Sequence, residues 1–131
     1  MNFNVSFSEI NEIFSKKLIV PLPVTFVHKD QHTIQLKRKI PIPFTKDIDV
    51  SVERIDGSDI YLKVDSDSIK TLMGFIKKLP LECLNMIEDL DNLIILHLDK
   101  NKKLAQTMKQ ITLQDVSFNE ESATIKFMPK L

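Results

Sequence analysis

His28 and His32 stand on either side of the polar stretch Lys29-Asp30-Gln31. Two imidazoles flanking a turn could face the same way and share a metal. A zinc site, however, wants three or four ligands at a diagnostic spacing, and no third ligand completes one here. Asp30 falls on the turn itself, so the pair reads as two exposed loop histidines and no metal is expected. His97 lies in the apolar run 93–98, where a hydrogen-bonded core or half-exposed imidazole is the ordinary state. Cys83 is the single cysteine, which rules out an internal disulfide and a thiolate metal site. Set among Leu81, Leu84 and Met86, it reads as a buried, inert thiol. A Cys83–His97 nucleophile–base pair would make the chain a small hydrolase or isomerase, but no flanking signature supports it.

Carboxylates gather between residues 47 and 67: Asp47, Asp49, Glu53, Asp56, Asp59, Asp65 and Asp67. Acid–base catalysis needs a carboxyl group in a pocket that perturbs it. Asp47, Asp49 and Glu53 instead alternate with Ile48, Val50 and Val52, the pattern of a solvated strand face backed by a buried one. Two glycines, Gly57 and Gly74, are too few for a phosphate-cradling loop, and no serine sits in a nucleophile elbow. Gly57 reads as a turn residue and Gly74, inside a helical stripe, as a point of close packing. No catalytic residue and no cofactor is expected, and the chain reads as non-enzymatic.

Eighteen basic residues balance eighteen acidic ones, and the balance holds in each half of the chain. Nucleic-acid binders need a concentrated positive face. The short basic runs Lys37-Arg38-Lys39 and Lys100 with Lys102-Lys103 have acidic residues close by in sequence, so they read as solvated surface and no nucleic-acid partner is expected. A length of 131 residues with 43% hydrophobic side chains fits one domain, residues 1–131, with a core of its own. No stretch approaches the ~20 apolar residues of a membrane span, and residues 1–20 lack a signal-peptide core. The chain as written reads as soluble and cytoplasmic; a leader or anchor ahead of residue 1 would make it exported or membrane-anchored.

The elements that must position these residues follow from periodicity. Ser6-Phe7-Ser8-Glu9 reads as a capping box, and Ile10, Ile13, Phe14 and Leu18 continue as one helical stripe that stops before Pro21. From Val24 the period becomes two. Val24 and Phe26 share a face, and Ile34, Leu36, Ile40, Ile42 and Phe44 keep a single parity through Arg38. Pro41 and Pro43 lie on the other parity, which places that run at a sheet edge or a bend. Ile48–Val52 and Ile60–Val64 alternate around Asp56-Gly57, a strong hairpin signal. Ile69, Leu72, Met73, Ile76 and Leu79 form a helical stripe ended by Pro80, and Leu81, Leu84, Ile87 and Leu90 carry a second helix. Residues 93–98 read as a strand covered on both faces. Asp99 is placed to cap a short helix bearing Leu104 and Met108. Two closing strands, Ile111–Phe118 and Ala123–Met128, carry a parity slip that predicts a bulge at Gln114-Asp115. The order is α-β-β-β-β-α-α-β-α-β-β, an α+β fold with a mainly antiparallel, curved sheet and helices on one face.

The apolar ribbon Ile34–Phe44, with its flanking prolines, five methionines and eight phenylalanines, has two readings. It is the filling of a curved sheet closed over helices, or the lining of a groove that receives an apolar ligand. The second makes the chain a binding domain for a lipid or other apolar small molecule, with Ile34, Leu36, Ile40, Ile42, Phe44 and Met73 as lining. The alternative is a protein-interaction or homo-oligomerisation module that pairs through an edge strand near residues 34–44.

Two segments also carry a likeness. The opening Val5-Ser6-Phe7-Ser8-Glu9-Ile10-Asn11-Glu12-Ile13-Phe14 and the ending from Ile111-Thr112-Leu113-Gln114-Asp115-Val116-Ser117-Phe118 to Ile125-Lys126-Phe127 resemble small bacterial members of the tubular lipid-binding (TULIP-like) superfamily, over about a quarter of the chain. That resemblance implies a curved sheet wrapped around a helix, an apolar groove for acyl chains and no catalytic residues.

Overall fold

A computed structural model describes residues 2–12, 24–38, 47–79 and 81–130. The hairpin around Gly57 forms as its spacing predicts. β4 (Ile48–Asp56) pairs antiparallel with β5 (Asp59–Val64), and Gly57 sits in the turn at φ 63°, a left-handed conformation that glycine enters without strain. β4 continues to β3 (Thr33–Arg38) and β3 to β2 (Val24–Asp30); on the other side β5 pairs with β7 (Leu93–His97) and β7 with β6 (Ile87–Leu90). The result is a six-stranded sheet in the order β2-β3-β4-β5-β7-β6, antiparallel at every step. Register shifts at His28/Asp30 and Val52/Arg54 are bulges of the kind that bend strands.

The α+β class with a mainly antiparallel sheet is therefore correct. The edge expected near residues 34–44 is not at Ile34 or Leu36: β3 is bonded on both sides. Its interior position follows from partners that arrive from both directions in sequence, the 24–30 strand before it and the 48–56 strand after it. Ile40, Pro41, Ile42, Pro43 and Phe44 lie outside the described residues, as do Ile13, Phe14, Leu18, Pro21 and Pro80.

The closing strands form a second sheet. β8 (Ile111–Phe118) and β9 (Ser122–Pro129) pair antiparallel, and the register slips between Leu113 and Asp115 where the parity change predicted it. β9 also pairs with β1 (Asn2–Ser6), a strand absent from the sequence reading. The two sheets meet at turns: the Phe118 N–H donates to the Gln31 carbonyl at 2.7 Å and the Leu113 N–H to the Gly57 carbonyl at 3.1 Å.

Helices cover the face of the large sheet that carries Ile34, Leu36, Val50 and Val64. α1 (Phe7–Glu12) starts as a capped turn, with the Ser6 hydroxyl accepting the Glu9 N–H at 3.1 Å and donating to the Glu9 carboxylate at 3.0 Å. α1 contributes Phe7, and α2 (Ile69–Ile76) contributes Leu72 and Ile76, to one buried cluster. At the other end of the face, Ile60 packs with Leu113, Val116 and Met108, the last from α4 (Lys102–Met108). Leu62 and Phe118 touch both clusters and join them.

Two expectations along this stretch are corrected. The second helix, α3, is only Leu81–Leu84; Ile87–Leu90 is strand β6, turned onto β7 through Asp91 at φ 56°. Asp and Asn tolerate that left-handed conformation best among non-glycine residues. The cap of α4 is Asn101, whose Oδ1 accepts the N–H groups of Lys103 and Leu104 at 2.9 and 3.2 Å, because a short 3-10 turn, Leu98–Lys100, occupies the position of Asp99. Among the described residues no helix is long and apolar enough to cross a membrane.

Candidate functional site

The pairing register decides which side chains share the covered face. Ile34 opposes Val50, Leu36 opposes Phe26, Val50 opposes Val64, and Leu62 opposes Ile94. In an antiparallel pair directly opposed residues project to the same side. α2 lies across these side chains, but it does not fill the space: a cavity of about 230 Å³ remains between helix and sheet. Its floor includes Val24, Phe26, Ile34, Leu36 and Val50, and Leu72, Phe75, Ile76 and Leu79 form its helical side. Leu62, Ile87, Ile94 and Leu96 complete it, so among the described residues every lining side chain is apolar.

Of the six residues singled out from the sequence, Ile34 and Leu36 line this cavity and are buried. Met73 packs against the same core cluster but is not part of the lining, because its position on α2 is one step off the face that Leu72 and Ile76 present. Ile40, Ile42 and Phe44 lie outside the described residues. Phe75 and Ile87 are lining residues that the sequence reading did not single out. Phe75 falls beside the Leu72–Ile76–Leu79 stripe and was legible as its flank; Ile87 was hidden by its assignment to a helix.

The opposite face of the sheet is polar. Lys29 is ion-paired to Asp49, Gln35 donates to Asp49 at 3.0 Å, and the Arg54 guanidinium lies 4.1 Å over the Tyr61 ring. The Asp49 hydrogen bond raises the pKa of the Lys29 ammonium, and the His32 backbone N–H lowers that of the Asp30 carboxyl. Mixed, paired charge of this kind describes a solvated surface rather than a catalytic pocket.

His97 is on this polar face and is largely enclosed. Its Nδ1 is 2.7 Å from the Asp59 carboxylate on β5 and its Nε2 is 2.9 Å from the Glu88 carboxylate on β6, with 15% of the side chain exposed. Glu88 first, then Asp59, raises the pKa of the imidazole; burial and the Lys100 ammonium oppose them. With both ring nitrogens held by carboxylates, His97 forms no pair with Cys83, and the proposed nucleophile–base arrangement is not built. Asp59, His97 and Asp99 each present a ligand atom within 4.8 Å of the others, the grouping among the described residues that could receive a cation. The two carboxylates at hydrogen-bond distance from the ring nitrogens instead favour the protonated imidazole. His28 and His32 belong to no such grouping, and His32 Nε2 sits 3.6 Å from Asp115.

No family model matches the chain, and no curated protein or solved structure shows significant similarity to it.

Proposed function

We propose that this chain is a binding domain that holds an apolar ligand, an acyl chain or comparable small molecule, between α2 and the six-stranded sheet. The observation that carries the reading is the cavity of about 230 Å³ whose lining, among the described residues, is apolar throughout. Protein interiors are ordinarily packed to the density of organic crystals, with few voids larger than a water molecule. Water is a poor occupant where it finds no polar partner, whereas an apolar cavity of roughly 150 Å³ already takes up benzene. The resemblance of the chain's two ends to tubular lipid-binding proteins points to the same ligand class. Nothing in this reading requires bond-making chemistry; affinity comes from apolar surface removed from water, about 25 cal/mol per Å².

Native mass spectrometry of protein purified from cells, followed by titration of the delipidated protein with a fluorescent fatty acid, tests the proposal. The expected results are a co-purified apolar mass and saturable probe uptake that falls in a Leu36→Phe variant, whose added ring bulk enters the cavity. Absence of any bound mass together with probe uptake unaltered by Leu36→Phe, in a variant that still melts cooperatively, would overturn it.

A further inference from the structure

The basic run at residues 100–103, unremarkable as sequence, is gathered by the fold around a concavity. Leu81 and Asn85 from the α3 segment face Lys100, Asn101, Lys102 and Lys103 across a pocket of about 310 Å³. Its described lining includes three lysines and no acidic residue, in a chain whose net charge is zero. Like charges brought together on a surface repel, and folded chains ordinarily intersperse them with acids. Here, among the described residues, no ion pair engages Lys100, Lys102 or Lys103.

Their position adds to the mismatch. Lys102 and Lys103 occupy the first turn of α4, which has no acidic residue, although that end of a helix favours negative side chains and disfavours lysine. The helix end itself is not the binding element, because Asn101 already accepts the N–H groups of Lys103 and Leu104 and its own amide donates to the Met86 sulfur at 3.4 Å. What remains unspent are the three ammonium groups and the Asn85 carboxamide, which has no hydrogen-bond partner among the described residues. Leu81 stands beside them with 71% of its surface exposed.

We propose that the pocket between α3 and α4 binds an oxyanion, a phosphate or carboxylate group, held by Lys100, Lys102, Lys103 and the amide of Asn85. Ammonium donors and an anionic oxygen form charge-assisted hydrogen bonds, about twice as strong as neutral ones. A bound anion also removes the repulsion among the lysines, so the same interaction relieves the unfavourable feature of the unliganded pocket. The exposed Leu81 gives an apolar portion of the ligand a place to lie, which suits the head group of an anionic lipid as well as a free phosphate. The inference does not depend on the apolar cavity.

The test is titration of the whole chain with inorganic phosphate, read from ¹H–¹⁵N spectra, and co-sedimentation with phosphatidylcholine vesicles with and without phosphatidic acid. Phosphate is expected to shift the Asn85 side-chain amide and the 100–103 amides saturably. A Lys100→Gln, Lys103→Gln double variant, changed only at exposed positions, is expected to bind about tenfold more weakly for each lysine removed. A Lys70→Gln, Lys77→Gln variant on α2 removes the same charge elsewhere and is expected to bind as the parent does. Lysine-dependent binding of phosphate identifies a soluble oxyanion ligand; lysine-dependent binding only of the phosphatidic acid vesicles identifies a lipid head group. Failure of both probes to bind, or equal weakening by the α2 control, would overturn the proposal.

Discussion

The carboxamide of Asn11 binds both main-chain polar groups of Phe26: Nδ2 donates to the Phe26 carbonyl at 3.1 Å, and Oδ1 accepts the Phe26 N–H at 2.6 Å. β2 is an edge of the six-stranded sheet, and a residue of an antiparallel strand directs its N–H and C=O to the same side. The amide of Asn11 therefore takes the place that another strand would occupy, and covers an edge that would otherwise offer itself for pairing. Because Phe26 is part of the cavity floor and Phe7 of the same helix packs on its ring, with centroids 5.7 Å apart, α1 fastens that wall. Asn11→Ala strands two part-buried groups and is expected to destabilise the fold by about 1–3 kcal/mol. Asn11→Asp, which keeps the acceptor and loses the donor, should fall between. Urea denaturation of the three proteins measures this; equal midpoints would show that the edge needs no cover.

The His97 clamp ties stability to pH. Asp59 on β5 and Glu88 on β6 face the ring at hydrogen-bond distance, with Asp99 nearby and Lys100 opposing. The folded-state pKa is raised above the ordinary 6.5, so the folded chain binds the proton more tightly than the unfolded one. The stabilisation is then complete below about 6.5 and is lost as pH rises through the higher folded value. His97→Gln should abolish this dependence over the neutral range while leaving the rest of the pH profile in place. Denaturation midpoints at a series of pH values decide it: a parent protein equally stable on both sides of neutrality would contradict the clamp.

How far the fold was legible depended on whether a local signal existed. The β4–β5 hairpin was readable because Gly57 supplies the left-handed turn and apolar residues alternate on both arms. The bulge in β8 was readable because one inserted residue must flip the parity of everything after it. β1 carried no such signal: Asn2–Ser6 has few apolar residues, Phe3 is 57% exposed, and the strand exists because β9 supplies its partner from the far end of the chain. β6 was masked by apolar spacing that suits a helix equally well, although the Asp91-Asn92 pair before Leu93 was a turn signal in plain view. For the cavity, parity placed Ile34 and Leu36 on the covered face, but whether the space above that face is filled depends on tertiary packing, which no spacing reveals.

Gly74 was expected to mark a close approach of α2 to a neighbour, and the structure shows otherwise. Among the described residues, a Cβ at this position would meet no atom within 4 Å apart from its own helix backbone and chain neighbours. An exposed glycine inside a helix weakens it by its unfolded-state freedom without any packing benefit. Gly74→Ala is therefore expected to stabilise the chain by up to about 1 kcal/mol, seen as a higher thermal midpoint with unchanged ligand uptake. A lower midpoint would mean that the open space above Gly74 is occupied by a part of the protein.

The cavity makes a prediction in which stability and binding move in opposite directions. Val50 lies on the cavity floor, buried at the centre of the sheet between Ile34 and Val64. Val50→Ile adds one methylene on the face that lines this space. In a well-packed core such an addition forces side chains off their rotamers and costs about 1–3 kcal/mol. In an empty apolar space it finds new contacts instead, and burying the extra methylene contributes about 0.8 kcal/mol. Val50→Ile is thus expected to raise the stability of the delipidated protein while lowering its uptake of a fluorescent fatty acid, because ligand and methyl group compete for the same volume. Chemical denaturation and probe titration on one preparation give both quantities. A variant that loses stability and keeps full uptake would show that the space behind Val50 is already packed and that the ligand sits elsewhere.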